Sequence, residues 1–126
     1  MTVDKLLAKA ETAVISAQLL LNAGDHDGAS NRAYYAMFDA ARAGLTVISG
    51  VNIETIRSHN GLITVFSQHL VKTGRLEVEL GRNLNRVEEI RLIADYKGDS
   101  IDQKAAAWAV EQAAIFLDTI KELINT

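Results

Sequence analysis

"ASNRAYYAMFDAARAGLTVI", residues 29–48, is the stretch that decides the fold. Alanine dominates it, and apolar side chains cover most of the circumference that it would have as a helix. A helix with so little polar surface is buried on several sides, which predicts a position at the centre of a bundle or against a second subunit. One row at helical spacing is polar, and it consists of Arg32, Tyr35, Asp39, Arg42, Thr46 and Ser49.

The polar row has two interpretations that the sequence leaves open. In the first, it is the one solvated strip of a core helix, with Asp39 bridging Arg42 or Arg32. In the second, it lines a polar cleft at a dimer seam, where Arg32, Tyr35 and Asp39 bind a ligand. Structural ion-pair networks and ligand-binding clusters look alike at this level, so both interpretations are kept.

The rest of the chain contains four further segments of helical length. Apolar residues spaced three and four apart predict helices over residues 3–20, 58–73, 76–96 and 100–124. Ser58 is the expected N-cap of the third helix, and Ser100 with Gln103 forms a capping box for the last. Five helices joined by short connections predict an all-α, up-and-down bundle of about five helices in a single domain, residues 1–126.

Composition excludes several classes of function. The 126 residues carry 13 Lys and Arg against 16 Asp and Glu, a net charge of −3, so nucleic acid could be bound only through a local basic patch. The absence of cysteine excludes a disulfide framework and a thiolate metal site. The three histidines lack the i, i+4 spacing of a helical metal site, so we expect neither a metal nor a cofactor.

The N-terminal residues do not have the pattern of a signal peptide. Asp4, Lys9 and Glu11 occupy positions where a signal peptide needs an apolar core. The uncharged run at residues 12–24 is too short to span a bilayer. We therefore expect a cytoplasmic protein without a membrane partner.

"EEIRLIADYKGDS", residues 88–100, contains the first candidate for a site. Arg91 falls on the margin of the apolar stripe of its helix, and Glu88 and Asp95 are spaced to reach its guanidinium. If exposed, this triplet is worth only roughly 0.2–0.5 kcal/mol per pair and is purely structural. A guanidinium at a burial margin can also clamp a phosphate, because it is planar, always charged and forks onto oxyanions.

Two further residues are candidates for proton transfer. His59, in "RSHNGL" (residues 57–62), stands at the start of the third helix, where it is either a capping or loop residue or a catalytic base. Tyr96 ends the fourth helix, where it is either a half-buried packing residue or an acid. No phosphate-binding glycine loop, catalytic triad signature or paired-carboxylate motif is found.

Three motifs in order, R-x-Y-Y-A at residues 32–36, S-H-x-G-L at 58–62 and R-x-x-A-D-Y at 91–96, resemble the HEPN family (higher eukaryote and prokaryote nucleotide-binding domain). The likeness is greatest to its small stand-alone prokaryotic branch and spans roughly residues 3–123. The resemblance implies a helical bundle that pairs into a homodimer, with a polar site near the dimer cleft. It also implies a minimal nucleotidyltransferase as partner in a toxin–antitoxin-like module.

Many HEPN proteins are metal-independent ribonucleases that use an arginine, four to six intervening residues, and a histidine. Arg91 matches that arginine, but the positions for the histidine hold Tyr96, Lys97 and Gly98. Since the phenol of tyrosine is a poor general base at neutral pH, the resemblance implies a protein that binds rather than cleaves.

The resemblance leads to three hypotheses about the site. In the leading one, Arg91 and Arg32 hold a nucleotide or an RNA phosphate, and Asp95 with Tyr35 or Tyr96 orients it. In the second, the protein is a divergent metal-independent ribonuclease in which Arg91 stabilises the phosphate and Tyr96 or His59 moves the proton. In the third, Arg91–Asp95 is a structural ion pair in a helical scaffold.

Overall fold

The computed structural model of the protein describes residues 2–125 and contains five α-helices. They are α1 (Val3–Asn22), α2 (His26–Ile48), α3 (His59–Phe66), α4 (Val78–Tyr96) and α5 (Gln103–Asn125). A 3₁₀ turn (Ile53–Thr55) precedes α3, and a π-helical turn (Ser67–Val71) follows it directly. No strand is present in this range, so the prediction of an all-α bundle of about five helices is confirmed. None of the helices described is both long and apolar enough to cross a membrane.

The helix α2 is the centre of the bundle. It packs against α1, α4 and α5, and its alanines are almost all fully buried. Tyr34 and Met37 of α2 are also completely buried. The facing side of α1 is equally small in its side chains, since Ala10, Ala13 and Ala17 are its main buried residues together with Leu6. Small residues on both helices allow their backbones to approach closely, and the predicted central position of residues 29–48 is confirmed.

Side-chain caps fix where two of the helices begin. The Asp25 carboxylate accepts a hydrogen bond from the Gly28 N–H at 2.9 Å, and the Ser58 hydroxyl accepts one from the Gly61 N–H at 2.9 Å. Glycine leaves both caps undisturbed, because a Cβ on Gly28 would overlap the Asp25 carboxylate and one on Gly61 would lie 2.8 Å from the Ser58 oxygen. The predicted Ser58 cap is therefore confirmed, and the cap at Asp25 makes α2 begin at His26 rather than at residue 29.

The predicted capping box of the last helix is wrong. The cap is Asp102, whose carboxylate accepts a hydrogen bond from the Ala105 N–H at 2.7 Å, and Gln103 is the first helical residue. The reason is tertiary: the Ile101 N–H donates to the Asp27 carboxylate at 2.8 Å and the Ile101 side chain is buried. This contact with α2 holds the chain before Asp102 outside the helix, and local spacing could not reveal it.

The third predicted helix also differs from the observed one. Instead of a regular helix over residues 58–73, α3 ends at Phe66 and continues as the π-helical turn. The fourth helix begins at Val78 rather than at Leu76, because the Leu76 N–H donates to the Leu70 carbonyl at 2.9 Å. Leu76 is buried in this connection and belongs to the apolar core.

Candidate functional site

Arg91 is buried inside the bundle rather than placed on its margin. Only 3% of it is exposed, and its Nε and Nη2 donate to the two carboxylate oxygens of Glu88, each at 3.0 Å. Glu88 is buried as well. The expectation of a marginal position was wrong because it used the periodicity of α4 alone, whereas the cover comes from aromatic rings of α2. The bidentate, charge-assisted geometry makes this one of the stronger kinds of ion pair.

Three tyrosine rings surround the guanidinium of Arg91. Its Cζ lies 4.8 Å from the ring centroid of Tyr34, 5.6 Å from that of Tyr35 and 5.9 Å from that of Tyr96. These distances are within the range of cation–π attraction, which strengthens when the cation is withdrawn from water. Helix α4 therefore supplies the charge and α2 supplies most of the aromatic enclosure.

The network around Arg91 has a closed end and an open end. Glu88 forms the closed end. At the open end, the Arg91 Nη1 donates to the Asp95 Oδ2 at 3.2 Å, and the side-chain amide of Asn31 donates to the same oxygen at 3.1 Å. The Asp95 side chain is 25% exposed and Tyr96 is 74% exposed. The side of Asp95 and Tyr96 is therefore the side on which this network meets the solvent.

The charge states in this network follow from its geometry. Burial lowers the pKa of Arg91, but its hydrogen bonds to Glu88 and the charge of Glu88 outweigh burial, so the pKa of Arg91 is raised overall. Burial first, and then the charge of Glu88, raises the pKa of Tyr34 well above that of an ordinary tyrosine. Arg91 is therefore a cation and Tyr34 a neutral phenol across the physiological range.

His59 joins the same network through Tyr34. The Tyr34 hydroxyl and the His59 Nδ1 are 2.8 Å apart, so they share a hydrogen bond whose direction depends on the histidine tautomer. The His59 ring also packs against Phe38, at 4.9 Å between centroids, and against Tyr35, at 5.8 Å. The fold thus brings His59 and Arg91, which are far apart in sequence, onto one tyrosine.

The first four residues of the polar row of α2, from Arg32 to Arg42, line a cleft of about 510 Å³ against α1; Thr46 and Ser49 lie outside it. Within it Asp39 is 7% exposed, and its carboxylate lies 3.4 Å from the Arg42 Nη1, as one of the two interpretations predicted. Burial raises the pKa of Asp39, and Lys9, Arg42 and Arg32 oppose that rise. This surface is therefore a cleft between two helices of one chain rather than a flat solvated strip.

Tyr35 joins the cleft to the network around Arg91. It lines the cleft beside Arg32, whose Cζ is 5.3 Å from its ring, and it also contacts the Arg91 guanidinium. Of the predicted ligand-binding residues, Arg32 and Asp39 therefore line the cleft with Tyr35, whereas Arg91 and Asp95 pair with each other outside it. They form two adjacent places and not one pocket.

Four residues of this region were not predicted to belong to it. In the sequence, Tyr34 and Phe38 have the pattern of core residues of an apolar helix. Tyr34 is fully buried and Phe38 partly buried, but each also contacts His59. Lys9 reaches the cleft from α1, and Asn31 holds Asp95. The three of these residues that lie on α2 (31, 34, 38) are three and four residues apart, as on one face of a helix. This spacing was the only signal that the sequence offered. No group of three metal-ligating side chains gathers anywhere in residues 2–125.

The similarity of this chain to known proteins identifies its family. The HEPN domain family model matches residues 3–123. A UPF0332 protein of Gloeobacter violaceus is 35% identical over 121 residues, which cover 94% of this chain and 93% of that protein. "Putative toxin MJ0142" of Methanocaldococcus jannaschii is 30% identical over 122 residues, 96% of this chain and 80% of that protein. A UPF0332 protein of Thermotoga maritima is 34% identical over 120 residues, or 93% and 86%. The chain belongs to the HEPN domain family.

Proposed function

We propose that this protein is the toxin-like component of a two-component module and that it acts by binding the phosphate of a nucleotide or an RNA. We name the binding region the Arg91 site; it consists of Arg91, Asp95, Tyr96, Tyr34 and His59. One similar protein is named "Putative toxin MJ0142", which supports the module. The observation that carries the proposal is the open end of the site, where one prong of a permanently charged guanidinium is covered by a single, partly exposed carboxylate.

The chemistry of the open end suits a phosphate. A phosphate oxygen that displaces the Asp95 carboxylate from the Arg91 Nη1 restores the same charge-assisted hydrogen bond, and the Asn31 amide can donate to it as well. Glu88 keeps the other two donors, so the ligand does not have to disrupt the buried fork. The exposed ring of Tyr96 provides a surface on which a base can stack.

The first test of this proposal is Tyr96→Ala, because Arg91 is too deeply buried for its removal to report on binding alone. Affinity for a short single-stranded RNA, measured by fluorescence anisotropy, should fall by about 10-fold, since one stacked base is worth about 1–3 kcal/mol. Val78→Ala, at the exposed start of the same helix, is the control and should bind like the wild type. Equal affinities for wild type and Tyr96→Ala would contradict a ligand at the open end.

The partner that we propose is a minimal nucleotidyltransferase, and we also propose that the chain pairs into a homodimer. The family resemblance of the motifs supports both, and the name of the relative "Putative toxin MJ0142" supports a partner in a module. Sedimentation velocity of the purified chain, alone and mixed with the candidate transferase, tests them together. A chain that stays monomeric at tens of micromolar and does not co-sediment with the transferase would contradict this part of the proposal.

A second candidate function is a divergent ribonuclease, and the shared contact of His59 and Arg91 with Tyr34 favours it. In that reaction the ribose 2′-hydroxyl attacks the phosphorus, His59 or Tyr96 moves the proton, and Arg91 stabilises the charge that develops on the phosphate. The bond to the 5′-oxygen of the next nucleotide breaks, which leaves a 2′,3′-cyclic phosphate and a free 5′-hydroxyl. Such cleavage should persist in chelator and disappear in His59→Gln or in Tyr96→Phe, according to which residue moves the proton; cleavage unchanged in both variants would rule it out.

A further inference from the structure

The cleft between α1 and α2 is a local basic patch in an acidic protein. Lys9 of α1 and Arg32 and Arg42 of α2 line it, and Asp39 is the one acidic side chain among the described residues at its wall. The cleft thus places three cations against one carboxylate, whereas the chain as a whole has a net charge of −3. A polyanion would meet its most favourable potential here, and a patch of this kind is what nucleic-acid binding by an acidic protein requires.

Aromatic rings hold the two arginines of the cleft in place. The Arg32 Cζ lies 5.3 Å from the Tyr35 centroid, and the Arg42 Cζ lies 5.7 Å from the Phe38 centroid. The two rings meet edge to face at 6.1 Å. The Arg32 Nε is buried and has no hydrogen-bond partner within the described part of the chain. An arginine stacked in this way keeps its N–H fork available to an oxyanion, and an unpaired buried donor favours a ligand that supplies an acceptor.

The cleft and the open end of the Arg91 site meet at Tyr35. This residue lines the cleft, and its ring centroid lies 5.3 Å from the Arg32 Cζ and 5.6 Å from the Arg91 Cζ. On α2, Asn31 lies at the open end. Asp39, eight residues further along the helix, lies at the Arg42 end of the cleft. Eight residues correspond to about 12 Å of helix axis. A mononucleotide carries phosphate at one end only, so it cannot place a phosphate at both positions.

Building on the proposed function, we infer that the cleft and the open end of the Arg91 site form one track for single-stranded RNA. Successive phosphates of the strand lie against Arg91 at one end and against Lys9, Arg32 and Arg42 at the other. The rings between these cations offer bases a surface on which to stack. The ligand class is therefore an oligonucleotide of at least two phosphates and not a free nucleotide.

The test compares AMP with RNA oligonucleotides of two and eight nucleotides, 2′-O-methylated to prevent cleavage, at several salt concentrations. We expect the octanucleotide to bind at least about 10-fold more tightly than AMP. Lys9→Met and Arg42→Met should each weaken octanucleotide binding several-fold and reduce the slope of log affinity against log salt by about 0.7 for each phosphate that the variant no longer neutralises. Affinity for AMP should not change in either variant.

The chain offers a matched control for each of these variants. Lys5→Met removes an exposed lysine one turn earlier on α1, outside the cleft. Arg82→Met removes an arginine that, like Arg42, is paired with a carboxylate three residues before it, at 3.0 Å from Glu79. Both controls change the net charge by the same unit and should leave the octanucleotide affinity and the salt slope at their wild-type values.

The outcomes separate this inference from the function on which it rests. Lys9→Met and Arg42→Met that bind like their controls, or AMP that binds as tightly as the octanucleotide, would overturn the track. If Tyr96→Ala alone lowers affinity in the same series, the phosphate site stands and the track is wrong. If the two cleft variants lower affinity and Tyr96→Ala does not, the cleft binds RNA but the proposed contact at the open end is wrong.

Discussion

At the scale of single residues, the positive charge of Arg91 is stable inside the bundle because Glu88 neutralises it and shares its burial. The fork of two hydrogen bonds at 3.0 Å compensates both ions for their removal from water. Pairing of Glu88 and Asp95 with Arg91 could be predicted from their spacing on one helix. The burial could not, since it depends on Tyr34 and Tyr35 reaching across from another helix.

The Arg91–Glu88 pair gives a prediction about stability. Arg91→Met should lower the free energy of unfolding by about 3–5 kcal/mol, because it leaves the Glu88 carboxylate buried without its counter-ion. Arg91→Met combined with Glu88→Leu should recover most of that loss, since an apolar pair of similar size needs no compensation. Urea unfolding of the single and double variants measures both. A double variant that is as unstable as Arg91→Met would mean that the fork itself, rather than the unpaired charge, determines stability.

Asp39 gives a prediction about pH. Burial raises its pKa in the folded protein, so the folded state holds this proton more tightly than the unfolded chain does. Its contribution to stability is therefore fully present below the unfolded pKa of about 4 and is lost as the pH rises through the higher, folded value. Asp39→Asn removes this dependence, so the variant should gain stability relative to the wild type between about pH 4 and neutrality. Thermal unfolding of both proteins across this range measures the difference in stability. A difference that falls with rising pH would contradict the raised pKa of Asp39.

At the scale of the elements, α2 determines the architecture, and much of it was readable in advance. Its alanines and its single polar row indicated a central helix before any neighbour was known, and the Ser58 cap of α3 was recognisable from local sequence. The start of α5 was not, because the competition between Ser100 and Asp102 is decided by the bond from Ile101 to Asp27 of α2. The π-helical turn after Phe66 likewise had no local signature.

Two glycines of α2 should respond differently to the same substitution. Gly44→Ala should stabilise the protein by up to about 1 kcal/mol, because alanine favours a helix interior and the new Cβ meets its nearest neighbour, the Ile120 Cδ1, at 3.4 Å. Gly28→Ala should bring no such gain, because the new Cβ displaces the Asp25 carboxylate that caps the helix, and the loss of this cap, about 1 kcal/mol, offsets the preference of alanine for the helix. Melting temperatures of the two variants compare them directly, and a stabilised Gly28→Ala would show that the cap contributes little.

At the scale of the whole molecule, charge is unevenly distributed between the surface and the candidate site. The chain is acidic, yet Lys9, Arg32 and Arg42 line one cleft, and Arg91 contacts the ring of Tyr35, which also lines that cleft. The motifs of the sequence indicated the family and the arginines involved. Spacing could not show which nitrogen of Arg91 pairs with the partly exposed Asp95. Nor could it show that Tyr35 joins the cleft to the Arg91 site, because both depend on the packing of α1, α2 and α4.

The central claim is that the open end of the Arg91 site receives a phosphate, and one NMR titration tests it most directly. A 2′-O-methylated single-stranded RNA is added to the ¹⁵N-labelled wild-type protein. We expect saturable shifts of the Asn31, Asp95 and Tyr96 amides, and of the Arg91 side-chain Nε–H that faces Glu88. The amides at the C-terminal end of α5 should remain in place. Saturable binding that leaves Asn31, Asp95 and Tyr96 unshifted, or weak shifts spread over surface lysines without saturation, would contradict the claim.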